Sequence, residues 1–340
     1  MSKTTEQASN GQNASGTYTE IPTLDMGAYL AGEEGALEEL AAKVRHIQEN
    51  IGFYVMVNHG FRQDILDKAY GKLHEFFALP METKLNYRIN ELSVGYMPPK
   101  STVYVTSKIN KNTKKDLNET LILALEREPD HPLIEAGTRF VGPNQWPSEI
   151  EGFREAMVAY QQEVLAFGRK ILPIYAVALD LPRDFFDEHY TDPVMWSRNA
   201  HYPAVEAEEN QFGIAPHSDH SCLTVLPIAE VPGLQVLSPT GDWIEVKYIE
   251  GGIVVNTGEF LNRWTNGRFM PTPHRVVPPL KDRYSIATFF NPNHDSVAEP
   301  LSTCVSEDNP PAFEPMKLID YVSWYIDSNY KRDAGGKQTS

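Results

Sequence analysis

The sequence predicts a mixed α and β fold in which an N-terminal helical layer packs against a core of short strands, closed by a C-terminal helix. Two observations carry this. Apolar residues recur at helical spacing in three stretches before residue 182, and from Tyr202 onward they come in short β-rich runs bounded by Gly, Pro or Asn. Runs of that kind suit a sandwich or jelly roll rather than a parallel α/β sheet.

In chain order, Met1–Gly16 is rich in Ser, Asn, Gln, Thr and Gly and is expected to be a floppy tail. Ile21–Asp25 reads as a short entering strand. Leu37, Leu40, Ala41, Val44, Ile47 and Ile51 share a helical face, with Gly52 at the C-cap position. Phe53–Val57 is an apolar strand, and Ile65–Phe77 is helical again. Repeated prolines and glycines make 93–148 look irregular, and a long helix is expected from about Phe153 to Leu181. The β-rich runs are Cys222–Leu226, Leu234–Leu237, Ile253–Asn256, Arg275–Val277 and Tyr284–Phe290, followed by a helix at Lys317–Tyr330. No repeat, Gly-rich phosphate loop or linker stands out. The expected organisation is therefore a tail at 1–17, one domain at 18–330 and a tail at 331–340. Within that domain, 18–140 forms the helical and strand layer and 195–300 the core.

Acidic residues outnumber basic ones 46 to 30, and the resulting charge of −16 argues against nucleic acid or anionic membranes as partners. The cysteines, Cys222 and Cys304, form no disulfide framework, which fits a cytoplasmic location. The longest apolar run, within Ile171–Leu181, is too short to span a bilayer. The expectation is a monomer or weak homo-oligomer acting on a small molecule.

The chemistry-bearing residues are His217-Ser-Asp219 and, 55 positions after the aspartate, His274. On an extended chain residues i and i+2 share a face, so His217 and Asp219 can enter one cavity. Two imidazoles and one carboxylate with open positions suit Fe(II) and O2 chemistry. The alternative is plain: His217 a loop residue after Pro216, Asp219 a turn former, and His274 on a surface turn. His46, His59, His74, His131, His189, His201, His220 and His294 are read as structural, with His220 directed away from the face of His217 and Asp219.

Nine residues after His274, Arg283-Tyr-Ser285 opens the last strand. By the two-residue period Arg283, Ser285, Ala287 and Phe289 share a face, so a guanidinium and a hydroxyl could clamp a carboxylate there. A surface arginine at a strand end is the alternative.

Across most of 20–330 the chain resembles the soluble 2-oxoglutarate and iron(II) oxygenases, the family that includes isopenicillin N synthase and the flavonoid oxygenases. The matching segments are Ile21–Asp25, Gly52–Gly60, His201-Tyr-Pro203, His217–Thr224, Asn256-Thr-Gly258, Thr265-Asn-Gly267, Thr272–Val276 and Arg283-Tyr-Ser285. The resemblance implies a double-stranded β-helix (jelly-roll) core. It implies iron on His217, Asp219 and His274, and the distal carboxylate of 2-oxoglutarate on Arg283 and Ser285, with a further hydrogen bond from Tyr202. The implied reaction couples oxidative decarboxylation of 2-oxoglutarate by O2 to hydroxylation, desaturation or ring closure of a small organic molecule. Three positions depart from the pattern: Ala200, where Asn is frequent (Asn199 lies one position off), Ser221 for Gly, and Glu259 for Asp. An oxidase on the same fold that needs no 2-oxoglutarate, a zinc hydrolase and a non-catalytic jelly-roll binding protein are the rival readings. The substrate pocket is expected to involve Phe289 and the irregular stretch with Tyr96, Val103 and Tyr104.

Overall fold

The computed structural model describes residues 11–13, 16–105, 107 and 109–332. Its strands, in chain order, begin with β1 (Thr23–Asp25), β2 (Phe53–Val57), β3 (Gly95–Met97), β4 (Thr102–Tyr104), β5 (Glu119–Ala124) and β6 (Pro193–Tyr202). Next come β7 (Ile214–His217), β8 (Leu223–Pro227), β9 (Leu234–Leu237), β10 (Trp243–Glu245), β11 (Ile253–Thr257), β12 (His274–Val276) and β13 (Arg283–Asn293). Eight of them form a large sheet in the order β1-β2-β11-β8-β13-β6-β5-β3, and four form a smaller one in the order β10-β9-β12-β7. Strands that alternate between two facing sheets make a jelly roll. The functional cavity lies between the two sheets.

The helices cover the outer face of the large sheet. Leu40, Ala41, Val44 and Ile47 of the helix Ala36–Asn50 are buried, as are Leu66, Ala69, Leu73, Phe76 and Phe77 of Gln63–Ala78. Both helices pack on the long helix Phe153–Ala178. The last helix, Leu318–Asn329, buries Leu318, Tyr321, Val322, Tyr325 and Ile326. One hydrophobic core runs from Tyr18 to Ile326. No helix among the described residues is long and apolar enough to cross a membrane.

The helices fall close to where periodicity places them, but two central strands were not legible. The predicted irregular stretch contains β5, buried at all six positions. The β character expected from Tyr202 begins at Pro193, with the ten-residue β6. Ser197, Arg198 and Asn199 interrupt its apolar pattern, because β6 sits in mid-sheet between β13 and β5 and carries polar groups inward. Of the expected tails, 1–10, 14, 15 and 333–340 lie outside the described residues. Gly11 is tied down, its carbonyl accepting from Thr19 N–H at 2.9 Å, and Lys331 and Arg332 pair with β4.

The long helix meets the large sheet at Gly168. A Cβ there would lie 2.6 and 2.7 Å from the two Cε carbons of Phe290, which is fully buried and stacked on Tyr190 at 4.8 Å. The ring has nowhere to go. Gly168→Val is therefore expected to cost about 1–3 kcal/mol through overpacking, read as an earlier urea midpoint. An unchanged midpoint would show that this contact is loose.

Candidate metal centre and active site

His217 closes β7 and His274 opens β12, and the two are direct partners across the smaller sheet. Their rings are 4.4 Å apart between centroids. Asp219 follows on the loop leaving β7, and its Oδ1 lies 3.8 Å from His217 Nε2 and 3.6 Å from His274 Nε2. All three side chains are buried, and one ligand atom from each falls within 4.8 Å of the others. Backbone contacts pin the loop: Glu259 N–H donates to the Asp219 carbonyl at 2.7 Å and Gly258 N–H to the Cys222 carbonyl at 3.1 Å. Position 258 has no room for a side chain, since a Cβ would sit 2.8 Å from the backbone nitrogen of Ser221.

The hydrogen bonds fix which atoms face inward. His217 Nδ1 lies 2.8 Å from the Ala215 carbonyl and His274 Nδ1 3.1 Å from the Thr272 carbonyl. A carbonyl can only accept, so both Nδ1 atoms carry a proton, and both Nε2 atoms are turned toward Asp219, free to bind a metal. Asp219 Oδ2 accepts from Thr224 Oγ1 at 2.7 Å and Asn256 Nδ2 at 2.8 Å, which leaves Oδ1 for a metal. Because Thr224 donates to Asp219, it must accept from Ser221 Oγ at 2.9 Å. Burial opposes ionisation of Asp219, but the two imidazoles and these hydrogen bonds overcome it and hold the carboxylate below its usual range. Burial, and then the neighbouring His274, push His217 well below the usual histidine value. The set is two imidazoles, each with its Nε2 turned toward Asp219, and one carboxylate, a donor set that suits a divalent metal.

These residues open onto a cavity of about 90 Å³ between the sheets, also lined by Tyr202, Arg283, Ser285, Ala287 and Phe289. The face-sharing expected along β13 is therefore present. Arg283 pairs with Tyr202 across β6, its guanidinium carbon 5.0 Å from the ring centre. Its Nε donates to the Val231 carbonyl at 3.1 Å, and Nη1 is buried with no partner. Ser285 is buried two positions further along. Phe289 packs on His220 and Trp196 at 4.6 and 5.5 Å.

Other expectations need correcting. Tyr96 is fully buried away from the cavity, bonded through its hydroxyl to Glu119 and packed on Phe76. Thr102 and Tyr104 share one face of β4, yet Thr102 lines the main cavity and Tyr104 a second one beside it, while Val103, on the opposite face, lines neither. Tyr104 is close to the metal centre all the same, its ring 5.9 Å from that of His217. His220 stays out of the metal cluster yet lines the cavity, and burial holds its pKa down to about 4. Asn199 faces the other way, its amide bonded to the Leu121 carbonyl at 2.9 Å. Sequence reasoning gave no roles to Thr224 and Asn256, although both sit in segments it singled out, and it missed Arg198.

Comparison with known proteins agrees with this geometry. Residues 193–292 match the model of the 2OG-Fe(II) oxygenase superfamily, and 21–149 match that of the non-haem dioxygenase in morphine synthesis N-terminal region. The chain is 34% identical over 297 residues to kihadalactone A synthase of Citrus sinensis, covering 84% of this chain and 87% of that one. It is 32% identical over 324 residues to a 2-oxoglutarate-Fe(II) type oxidoreductase of Emericella nidulans, covering 92% and 91%. A Neurospora crassa structure in complex with alpha-ketoglutarate superposes with a TM-score of 0.82 at 29% identity, over 95% of this chain and 99% of that one. The same protein has been solved with thymine.

The hydrogen bonds that orient Asp219 generate a prediction. Thr224→Val and Asn256→Ala should each weaken anaerobic Fe(II) binding about 10- to 100-fold, the usual cost of losing a group that orients a ligand. Equilibrium metal titration reads this directly, and unaltered affinity in both variants would remove these residues from the centre.

Proposed function

Since this chain belongs to the 2-oxoglutarate and iron(II)-dependent oxygenase superfamily, we propose that His217, Asp219 and His274 hold its Fe(II) and that Arg283, Ser285 and Tyr202 seat 2-oxoglutarate during oxidation of a small organic molecule. One observation carries this reading: two Nε2 atoms and one free carboxylate oxygen converge in a cavity whose wall carries a guanidinium with no anionic partner among the described residues. Bound together, Fe(II), 2-oxoglutarate and O2 supply the oxidation, with 2-oxoglutarate leaving as succinate and CO2.

The chain's own groups do the positioning. Thr224 and Asn256 keep one Asp219 oxygen occupied and the other free. Arg283 and the Ser285 hydroxyl give the distal carboxylate charge-assisted hydrogen bonds, and the Tyr202 ring braces the guanidinium. Phe289 holds the substrate by burial, on the same face of β13 and about 20 Å from Arg283 at ~3.3 Å per residue. Hydroxylation is the expected outcome. We read residues 18–330 as one oxygenase domain, and both cysteines, buried and unpaired, support a cytoplasmic location.

Three variants test the assignment. Arg283→Ala should weaken 2-oxoglutarate binding by roughly 30-fold to several thousandfold, from a truncation cost of about 2–5 kcal/mol. Arg283→Lys should recover only part, lacking the planar fork. Unchanged affinity in the alanine variant would favour an oxidase that needs no 2-oxoglutarate. Phe289→Ala should uncouple the reaction, so that succinate forms in excess over oxidised substrate. If Phe289 serves only as core, the variant melts much earlier, by about 3–5 kcal/mol, and remains fully coupled.

A further inference from the structure

Arg198 lies on β6 between Ile122 of β5 and Ala287 of β13, and its side chain lines the cavity that holds the metal centre. No carboxylate among the described residues forms an ion pair with it. Its Nη2 donates to the neutral Asn118 Oδ1 at 3.2 Å, and its Nε is buried with no partner. Asp116, the carboxyl on which its charge acts, spends its hydrogen bonds elsewhere. Asp116 Oδ1 accepts from Ala215 N–H at 2.9 Å and Oδ2 weakly from Thr102 Oγ1 at 3.4 Å. Burial also pushes Asp116 up to about 7 in spite of Arg198, so at neutral pH it compensates that guanidinium only in part. Arg198 is half-buried, and a guanidinium partly withdrawn from water beside one amide is costly unless an anion joins it.

The cavity thus contains two guanidiniums without ion pairs. Arg198 faces Ala287 and Arg283 begins the same strand, so the two lie about 13 Å apart at ~3.3 Å per residue. Arg198 lines the same cavity as the metal-binding cluster of His217, Asp219 and His274. Around it the wall is apolar: Met97, Ile122, Phe140, Trp196, Phe289 and Ile326. A doubly charged cosubstrate on Fe(II), Asp219 and Arg283 leaves that part of the site without net charge, and Arg198 alone remains uncompensated. We infer that Arg198 is a specificity-determining residue that binds the carboxylate of the primary substrate, and that this substrate is an apolar monocarboxylic acid. The planar fork matches a carboxylate edge, while the surrounding rings and aliphatic chains take the hydrocarbon part.

This inference rests on the oxygenase reading, and the test separates the two. The iron-loaded protein with 2-oxoglutarate is offered matched pairs: phenylacetate with phenylacetamide, cinnamate with cinnamamide, and decanoate with decanamide. Succinate release reads turnover, and equilibrium dialysis of the same compounds reads binding. In the parent, the acids should bind more tightly than their amides. Arg198→Gln, which keeps a hydrogen-bonding group beside Asn118, should weaken binding of the acids by roughly 30-fold or more while moving the amides little. Should that variant melt early, Arg198→Lys takes its place and is expected to keep the charge preference at reduced strength. Equal binding of acids and amides by the parent, or an undiminished preference for acids in Arg198→Gln, overturns the proposal. A parent that never forms succinate overturns the oxygenase reading instead, and dialysis still decides the role of Arg198.

Discussion

Two imidazoles and a carboxylate meet in this fold because two cross-strand pairs, one in each sheet, are brought face to face. His217 and His274 oppose each other in the smaller sheet, and Thr224 and Asn256 oppose each other in the larger one. Asp219 spans the gap, held by the second pair and aimed at the first. Cross-strand partners have Cβ atoms only about 4.5–5.5 Å apart, so each pair is rigid without help from loops. A slip of one residue in either register would turn one pair to the opposite face and dissolve the centre. The close approach of Gly258 to Ser221 and the buried hydroxyl chain from Ser221 through Thr224 serve the same alignment.

Charge governs the rest of the cavity. Arg283 and Arg198 both project from the large sheet into a mostly apolar space, and neither has an anionic partner among the described residues. Arg283 is buried and Arg198 half-buried, and cations withdrawn from water in this way are costly to maintain, which favours anionic ligands over neutral ones of the same shape. Binding energy gathered at these remote points can then orient the reacting carbon near the metal ligands.

The C-terminal helix closes the other approach to the centre. Tyr325 donates its hydroxyl to the Ser218 carbonyl at 2.6 Å and meets the Tyr104 hydroxyl at 2.9 Å. These two rings lie where the main cavity ends and a second one begins, the latter lined by His217, Glu259 and Trp324. Residues 221 positions apart in the chain thus meet beside the metal centre.

Much of this was legible in the sequence. Helical periodicity placed the four main helices, alternation placed Arg283, Ser285 and Phe289 on one face, and the spacing of His217, Asp219 and His274 with the family's motifs identified the centre. Those signals are local: they depend on the period of a helix or strand and on the order of residues along it. The rest depended on neighbours. Strand β5 is an apolar run set within a stretch punctuated by Pro and Gly, and β6 carries Ser197, Arg198 and Asn199, so its apolar pattern breaks where pairing on both edges determines the structure. Tyr96 and Tyr104 look alike in sequence, yet packing commits one to Glu119 and the core and the other to the rim of the metal centre. Sequence determined which groups could do the chemistry. Only the tertiary structure decided that Arg198 lacks a counter-ion among the described residues, because such an absence is a property of everything that surrounds a side chain.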